Sequence, residues 1–154
     1  MKEAHEAIEC VARLSELYRE RREQLAHGVG VTDQQWGVLE EIATEHFMPS
    51  LFARRRESSP AAVSKILRQL LEKGFVVAAV GQSDARQRKY SLTAKGRRAM
   101  DRLRESRQAA IGEVWLGLPG ADLRAFTAFG QTLIGRLERY AASAAASRPS
   151  STKE

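Results

Sequence analysis

The stretch from Ser59 to Gly74 constrains this chain more than any other. It signals a helix at both ends. Ser59 is placed as an N-cap whose hydroxyl accepts a first-turn N–H. Pro60 follows at the first helical position, where its missing N–H costs nothing. Lys73 suits the negative end of the helix dipole, and Gly74 stands where a left-handed residue is wanted. Between these caps Val63, Ile66, Leu67, Leu70 and Leu71 recur at helical spacing and form one apolar face. The other face carries Ala61, Ala62, Ser64, Lys65 and Arg68, small near the N-terminus and basic further along. Small residues let a helix approach a surface closely, and Lys and Arg suit a surface rich in phosphates. An ordinary solvated helix face is the other reading of the same residues.

The flanking segments narrow the choice. Leu51, Phe52 and Ala53 predict a short helix to about Arg56, after a turn or extended piece from Glu45 to Ser50 that contains Pro49. Downstream the period changes. Phe75–Val80 is a continuous β-rich run, Gly81-Gln82-Ser83-Asp84 is turn chemistry, and Arg88–Leu92 returns as a second strand. The hairpin carries Arg86, Arg88 and Lys89 at or near its tip. Thr93 caps a further helix that runs towards Leu116, where Gly117-Leu118-Pro119-Gly120 interrupts it.

Nearer the start, residues 3–26 lack Gly and Pro and predict a long first helix ending near His27-Gly28. Thr32-Asp33-Gln34-Gln35 has the capping-box pattern and opens a second helix with Trp36, Leu39, Ile42 and Ala43 on its apolar side. A last helix is expected from about Ala121 to Ala142, with Leu123, Phe126, Phe129, Leu133, Ile134, Leu137 and Tyr140 on one stripe.

The resulting fold class is mainly α with a small β-hairpin wing, a winged helix-turn-helix flanked by long N- and C-terminal helices. The expected organisation is one domain over residues 1–142. Its winged helix spans about 32–93, its dimerisation helices span about 3–27 and 94–142, and a flexible tail covers 143–154. The flanking helices carry more apolar stripe than one winged helix can cover. A symmetric homodimer is the simplest way to bury it, and it spaces two recognition helices about one DNA turn apart.

Charge is distributed to match. Residues 54–104 hold 14 Lys and Arg against 4 Asp and Glu, a net +10, while the remainder is −4. A basic middle on a mildly acidic scaffold fits a polyanion-binding face. An anionic membrane surface fits less well, because no basic segment has the bulky apolar face of an interfacial helix. No apolar run approaches the roughly 20 residues of a membrane span. The single cysteine excludes an internal disulfide, and the cytoplasm is the expected compartment. No phosphate loop, nucleophile elbow or dinucleotide fingerprint is present, so no enzyme and no cofactor are expected.

Three pieces together resemble the MarR family of winged helix-turn-helix transcriptional regulators. They are Thr32-Asp33-Gln34-Gln35-Trp36-Gly37-Val38-Leu39, Val63 to Gly74, and Asp84-Ala85-Arg86 followed by Ser91-Leu92-Thr93-Ala94-Lys95-Gly96. The resemblance runs from about Leu14 to Tyr140. It implies a cytoplasmic homodimer joined through the first, fifth and sixth helices, binding a double-stranded DNA operator. Its recognition helix enters the major groove, and Arg86, oriented by Asp84 through a charge-assisted bond, reaches the minor groove at the wing. The expected DNA-binding residues are Arg54, Arg55, Ser59, Ala61, Ala62, Ser64, Lys65, Arg68, Asp84, Arg86 and Arg88. The role implied is sequence-specific regulation, most often repression.

Three departures from the family pattern stand out. Arg56 and Glu57 replace the usual apolar residue and glycine of the helix-turn-helix corner. Ala78, Ala79 and Val80 occupy a strand where basic residues are common. Ala85 stands where an arginine is frequent, which leaves Arg86 as the minor-groove residue.

The resemblance also implies release by a small aromatic or anionic effector. Trp36, His46, Phe47, Met48 and Phe52 are candidates for its pocket, with most of them expected to be core. Three other readings stand beside this one, one of them a winged-helix protein–protein adaptor without DNA function, which the basic excess of residues 54–104 argues against. A non-specific architectural DNA binder would use the same basic face. A redox-sensing regulator would use Cys10 in the first helix, as one branch of the family does. Against the latter, Glu6, Glu9 and Glu16 lie close in sequence, and negative charge opposes the thiolate. His5, Glu9 and Cys10 share a helix side, but no further ligand-spaced partner exists, so no metal is expected.

Overall fold

The computed structural model describes residues 1–154 apart from Glu45, Glu57, 81–87 and 147–154. Its elements are α1 (Lys2–Gly28), α2 (Asp33–Ile42), α3 (Pro49–Arg55), α4 (Pro60–Glu72), β1 (Val76–Val80), β2 (Arg88–Leu92), α5 (Ala94–Val114) and α6 (Gly120–Ala146). This mainly helical chain with one antiparallel hairpin has the winged-helix architecture that the sequence predicts. β1 and β2 pair in register from Val76 opposite Leu92 to Val80 opposite Arg88.

The cap chemistry accounts for the element boundaries. Thr32 accepts from Gln35 N at 3.2 Å, and the Gln35 side chain accepts from Thr32 N at 3.1 Å, so the capping box is complete. Ser59 accepts from Ala62 N at 3.1 Å, with Pro60 beginning α4. Thr93 accepts from Gly96 N at 3.0 Å and donates to the Gly74 carbonyl at 2.7 Å, so one hydroxyl caps α5 and ties it to the end of α4.

Two glycines are required by backbone geometry. Gly74 has φ +72° and ends α4 in the left-handed region that a side chain resists. Gly96 lies where the first turn of α5 meets the start of the hairpin. A Cβ there would overlap the Phe75 carbonyl oxygen.

Two boundaries differ from expectation. The sequence predicts a turn through Ser50, but α3 starts at Pro49 with Met48 as its extended N-cap. Proline at the first helical position opens a short helix as it opens α4. The sequence also predicts a tail from Ser143, but α6 continues to Ala146. Its last residues are alanine-rich, and alanine has the highest helix propensity. The remainder of the expected tail, 147–154, lies outside the described residues.

α2 is the central helix. Gln35, Trp36, Gly37, Val38 and Leu39 are consecutive and all buried, so the middle of the helix is covered on every side. Phe52 and Ala53 of α3, Val63, Leu67 and Leu70 of α4, Phe75 and Val76, and Ala99 and Leu103 of α5 complete the core with Ala26 of α1. α1 is joined to α2 by Arg22. Its guanidinium lies 4.0 Å from the Trp36 ring centroid, pairs with Glu40 at 3.1 Å, and donates to Asp33.

The chain divides into two compact units, Met1–Gln108 and Ala109–Glu154. The core described above lies in the first. In the second, Trp115 and Phe126 pack with ring centroids 6.4 Å apart, and among the described residues no α6 side chain is fully buried.

Candidate nucleic-acid interface

α3 and α4 form the helix-turn-helix. α3 ends at Arg56, where the chain leaves helical geometry (φ −98°, ψ 8°), and the turn is closed by Ser58 N donating to the Ala53 carbonyl at 2.9 Å. Arg56 takes the place of an apolar corner residue by lying over the Phe52 ring, 5.8 Å from its centroid. Its partner in the departure from the family pattern, Glu57, lies outside the described residues.

α4 is amphipathic as the sequence predicts. Val63, Leu67 and Leu70 are buried, and Ile66 and Leu71 pack partly against them. The outer residues Ser59, Ala61, Ser64, Lys65 and Arg68 are exposed, and Ala62 is half-buried. Removing about three apolar side chains from water at roughly 1.5–3 kcal/mol each holds this helix to the core while its basic face remains free.

The expected arginines are placed differently from one another. Arg54 is exposed at the end of α3. Arg55 is also exposed but pairs with Glu41 of α2 at 3.6 Å. An ion pair that open to water contributes under about 1 kcal/mol, so a phosphate can compete with it. Arg88 is exposed in β2, opposite Val80. Asp84 and Arg86 lie outside the described residues. On β1, Ala78 and Ala79 are exposed, and their small side chains leave Lys89, opposite Ala79, as the basic group of that part of the hairpin.

The expected pocket residues separate into two kinds. Trp36 and Phe52 are core. Phe47 packs between Phe52 and Tyr90, with centroids 5.8 and 5.9 Å away. His46 and Met48 are exposed rather than core, because they belong to the irregular segment before Pro49. A separate groove of about 390 Å³ opens beside the C-terminus of α2, between β2 and α5. Tyr90, Leu92 and Met100 give it an apolar wall, and Lys89, Arg97 and Arg104 give it cations, the last paired at 2.9 Å with Asp101 of the same lining. Sequence periodicity places these residues on different elements and does not show that they meet.

Cys10 is exposed. Among the described residues no three His, Cys, Asp or Glu side chains are grouped to hold a metal. None of the described helices is long and apolar enough to cross a membrane.

Residues 29–87 match the MarR family model. That segment is similar to the MarR family of winged-helix proteins. The matched segment contains the helix-turn-helix and β1 but ends before β2, so it covers the first two resembling pieces and only Asp84-Ala85-Arg86 of the third. Among solved structures of the same fold is a MarR family transcription regulator, SP03579. It is 19% identical with a TM-score of 0.77, over 96% of this chain and 95% of that one. A second is MepR of S. aureus in complex with DNA, 15% identical with a TM-score of 0.66, over 83% of this chain and 94% of that one. A third is CouR from Rhodococcus jostii RHA1 bound to p-coumaroyl-CoA, 21% identical with a TM-score of 0.64, over 80% of this chain and 88% of that one. No curated protein matches the chain in sequence.

Within this MarR-type fold, several contacts went unread in the sequence. The buried Gln35 and its partners Gln69 and Lys73 tie α2 to α4. Lys95 donates to the Lys73 carbonyl at 2.7 Å and lies over the Phe75 ring. Gln69 stands beside Leu70 at the edge of the apolar stripe, and a polar residue there was the available signal.

Proposed function

We propose that this chain is a dimeric, sequence-specific DNA-binding transcriptional regulator, a repressor released by a small anionic effector with an aromatic or apolar body. One observation carries the reading. The capped helix of a MarR-type helix-turn-helix is pinned by buried Val63, Leu67 and Leu70 while Ala61, Ser64, Lys65 and Arg68 stand exposed on its other side. Ser64, Lys65 and Arg68 face base edges or phosphates, and Ala61 and Ala62 approach thymine methyls. Arg54, Arg55, Ser59 and Arg88 add phosphate contacts, and Arg86, oriented by Asp84, enters the minor groove.

The partner in the dimer is a second copy of this chain. Supporting this is the extent of apolar side chain left open on α1 and α6: Ile8, Val11 and Tyr18 on the first, Phe126, Phe129, Ile134 and Leu137 on the second. A monomer rarely leaves so continuous an apolar stripe in water. The effector is assigned to the groove between β2 and α5, whose apolar wall suits a ring or chain and whose cations suit a carboxylate.

The deciding experiment titrates the protein against DNA from upstream of its own gene, with random duplex as control, at two salt concentrations. A regulator prefers its operator by about 10³ or more and loses affinity steeply as salt rises. Equal affinity for both duplexes favours an architectural role. Arg68→Ala and Arg86→Ala are each expected to weaken operator binding by about 1–3 kcal/mol with the fold intact by circular dichroism. Unchanged affinity removes that arginine from the interface.

A further inference from the structure

The apolar residues under α4 turn that face to the core, but burial is non-directional and sets the helix's rotation about its axis only coarsely. The side chain of Gln35 supplies direction. It is buried (2% exposed) in the first turn of α2. Its amide Nε2 donates to Gln69 Oε1 at 2.9 Å, and its Oε1 accepts from Thr32 N at 3.1 Å and from Lys73 Nζ at 3.0 Å. The amide has one workable orientation. Turned over, its NH₂ would face the Thr32 N–H and the Lys73 ammonium, which are both donors. Lys73 Nζ also donates to the Gly30 carbonyl at 3.0 Å.

The two α4 side chains held in this way lie on one ridge of the helix. Ala61, Lys65, Gln69 and Lys73 follow at intervals of four, so they stack along one side. The same ridge that Gln35 grips at its C-terminal half presents Ala61 and Lys65 at its exposed N-terminal half. Turning α4 about its axis would move both, together with Ser64 and Arg68, relative to the rest of the winged helix.

We propose that Gln35 is a positioning residue for DNA recognition: by gripping Gln69 and Lys73 it fixes the rotation of α4, and so sets which side chains meet the bases. This rests on the DNA-binding reading above. Gln35 touches no DNA itself. Phosphate contacts tolerate a small rotation of the helix, whereas bidentate base contacts do not, so the clamp acts on discrimination more than on overall affinity.

The test uses the full chain and four variants. In Gln35→Glu the carboxylate still accepts from Thr32 N and Lys73, and Gln69 can turn its amide to donate. In Gln69→Glu the carboxylate accepts from Gln35 Nε2. Each single variant therefore keeps the bond between positions 35 and 69, and the double variant faces two carboxylates and loses it, keeping only the Lys73 contact. Gln69→Met removes the bond without adding charge, at a half-buried site where an unbranched side chain fits.

Two readouts are taken on variants whose circular dichroism matches the parent. The first is the ratio of affinities for upstream and random duplex at one salt concentration. The single Glu variants stay within about threefold of the parent ratio, while the double variant and Gln69→Met lose about tenfold or more. The second is amide hydrogen exchange along residues 66–72, which needs no DNA. It quickens in the same two variants and not in the single Glu variants. An unchanged ratio in the folded double variant and Gln69→Met overturns the proposal, and so does unchanged exchange. If the parent itself fails to distinguish the two duplexes, the regulator reading fails separately. Exchange then decides alone whether Gln35 sets α4.

Discussion

The winged helix and α6 use apolar side chains in opposite ways. Leu70, in α4, is 0% exposed, whereas Leu137, in α6, is 58% exposed, although both lie on apolar stripes. Around Leu70 the chain supplies its own cover, with α4 packed on α2, α3 and β1. Along α6, Phe126, Phe129, Ile134 and Leu137 are all open. A periodic stripe states that a face is to be buried. It does not state whether the burying surface belongs to the same chain. α1 spans both cases: Ala26 near its end is core, and Ile8 near its start is exposed.

Three substitutions sharpen or break this contrast. Leu70→Ala should cost about 2–5 kcal/mol, because it removes buried methyl groups from a packed site. Denaturant unfolding of the variant measures it, and a loss below about 1 kcal/mol would mean that the core around α4 is looser than its burial indicates. Leu137→Asp should leave the winged helix folded and weaken dimerisation by on the order of 2–4 kcal/mol. Sedimentation across a dilution series reads the change. An unaltered association constant would place the dimer contact elsewhere, and a parent that sediments as a monomer would remove the dimer altogether. Arg13→Ala, which breaks an exposed pair with Glu16 at 3.2 Å, should alter stability by no more than about 0.5 kcal/mol in the same unfolding assay. A larger loss would show that this side of α1 is covered in the native assembly, since burial is what makes an ion pair costly to break.

The caps were legible because their chemistry is local. Ser59-Pro60, Thr32 with Gln35, and Gly74 each act within a few residues, and the structure places all of them as the sequence predicts. Pro49 was misassigned to a turn by the same logic that placed Pro60 correctly. Upstream of Pro49 there is no Ser, Thr, Asp or Asn cap to announce a helix, only Met48. The outer face of α4 was readable from periodicity. The ion pair between Arg55 and Glu41 was not, since it joins two elements.

The sequence by itself therefore determined the order of helices, the hairpin, the polar outer face of α4 and the basic middle third. Each of these follows from caps, period or charge within a short window. Tertiary structure alone decided that Gly96 must lack a side chain, because the Phe75 carbonyl approaches it from another element. It also decided that Gln35 reaches beyond its own helix to Gln69 and Lys73, and that Lys89, Arg97 and Arg104 share one groove with Tyr90. The physical reason is the same in every case. Backbone sterics and helical period act over a few residues, whereas side-chain hydrogen bonds and close packing act over a few ångströms, whatever the separation along the chain.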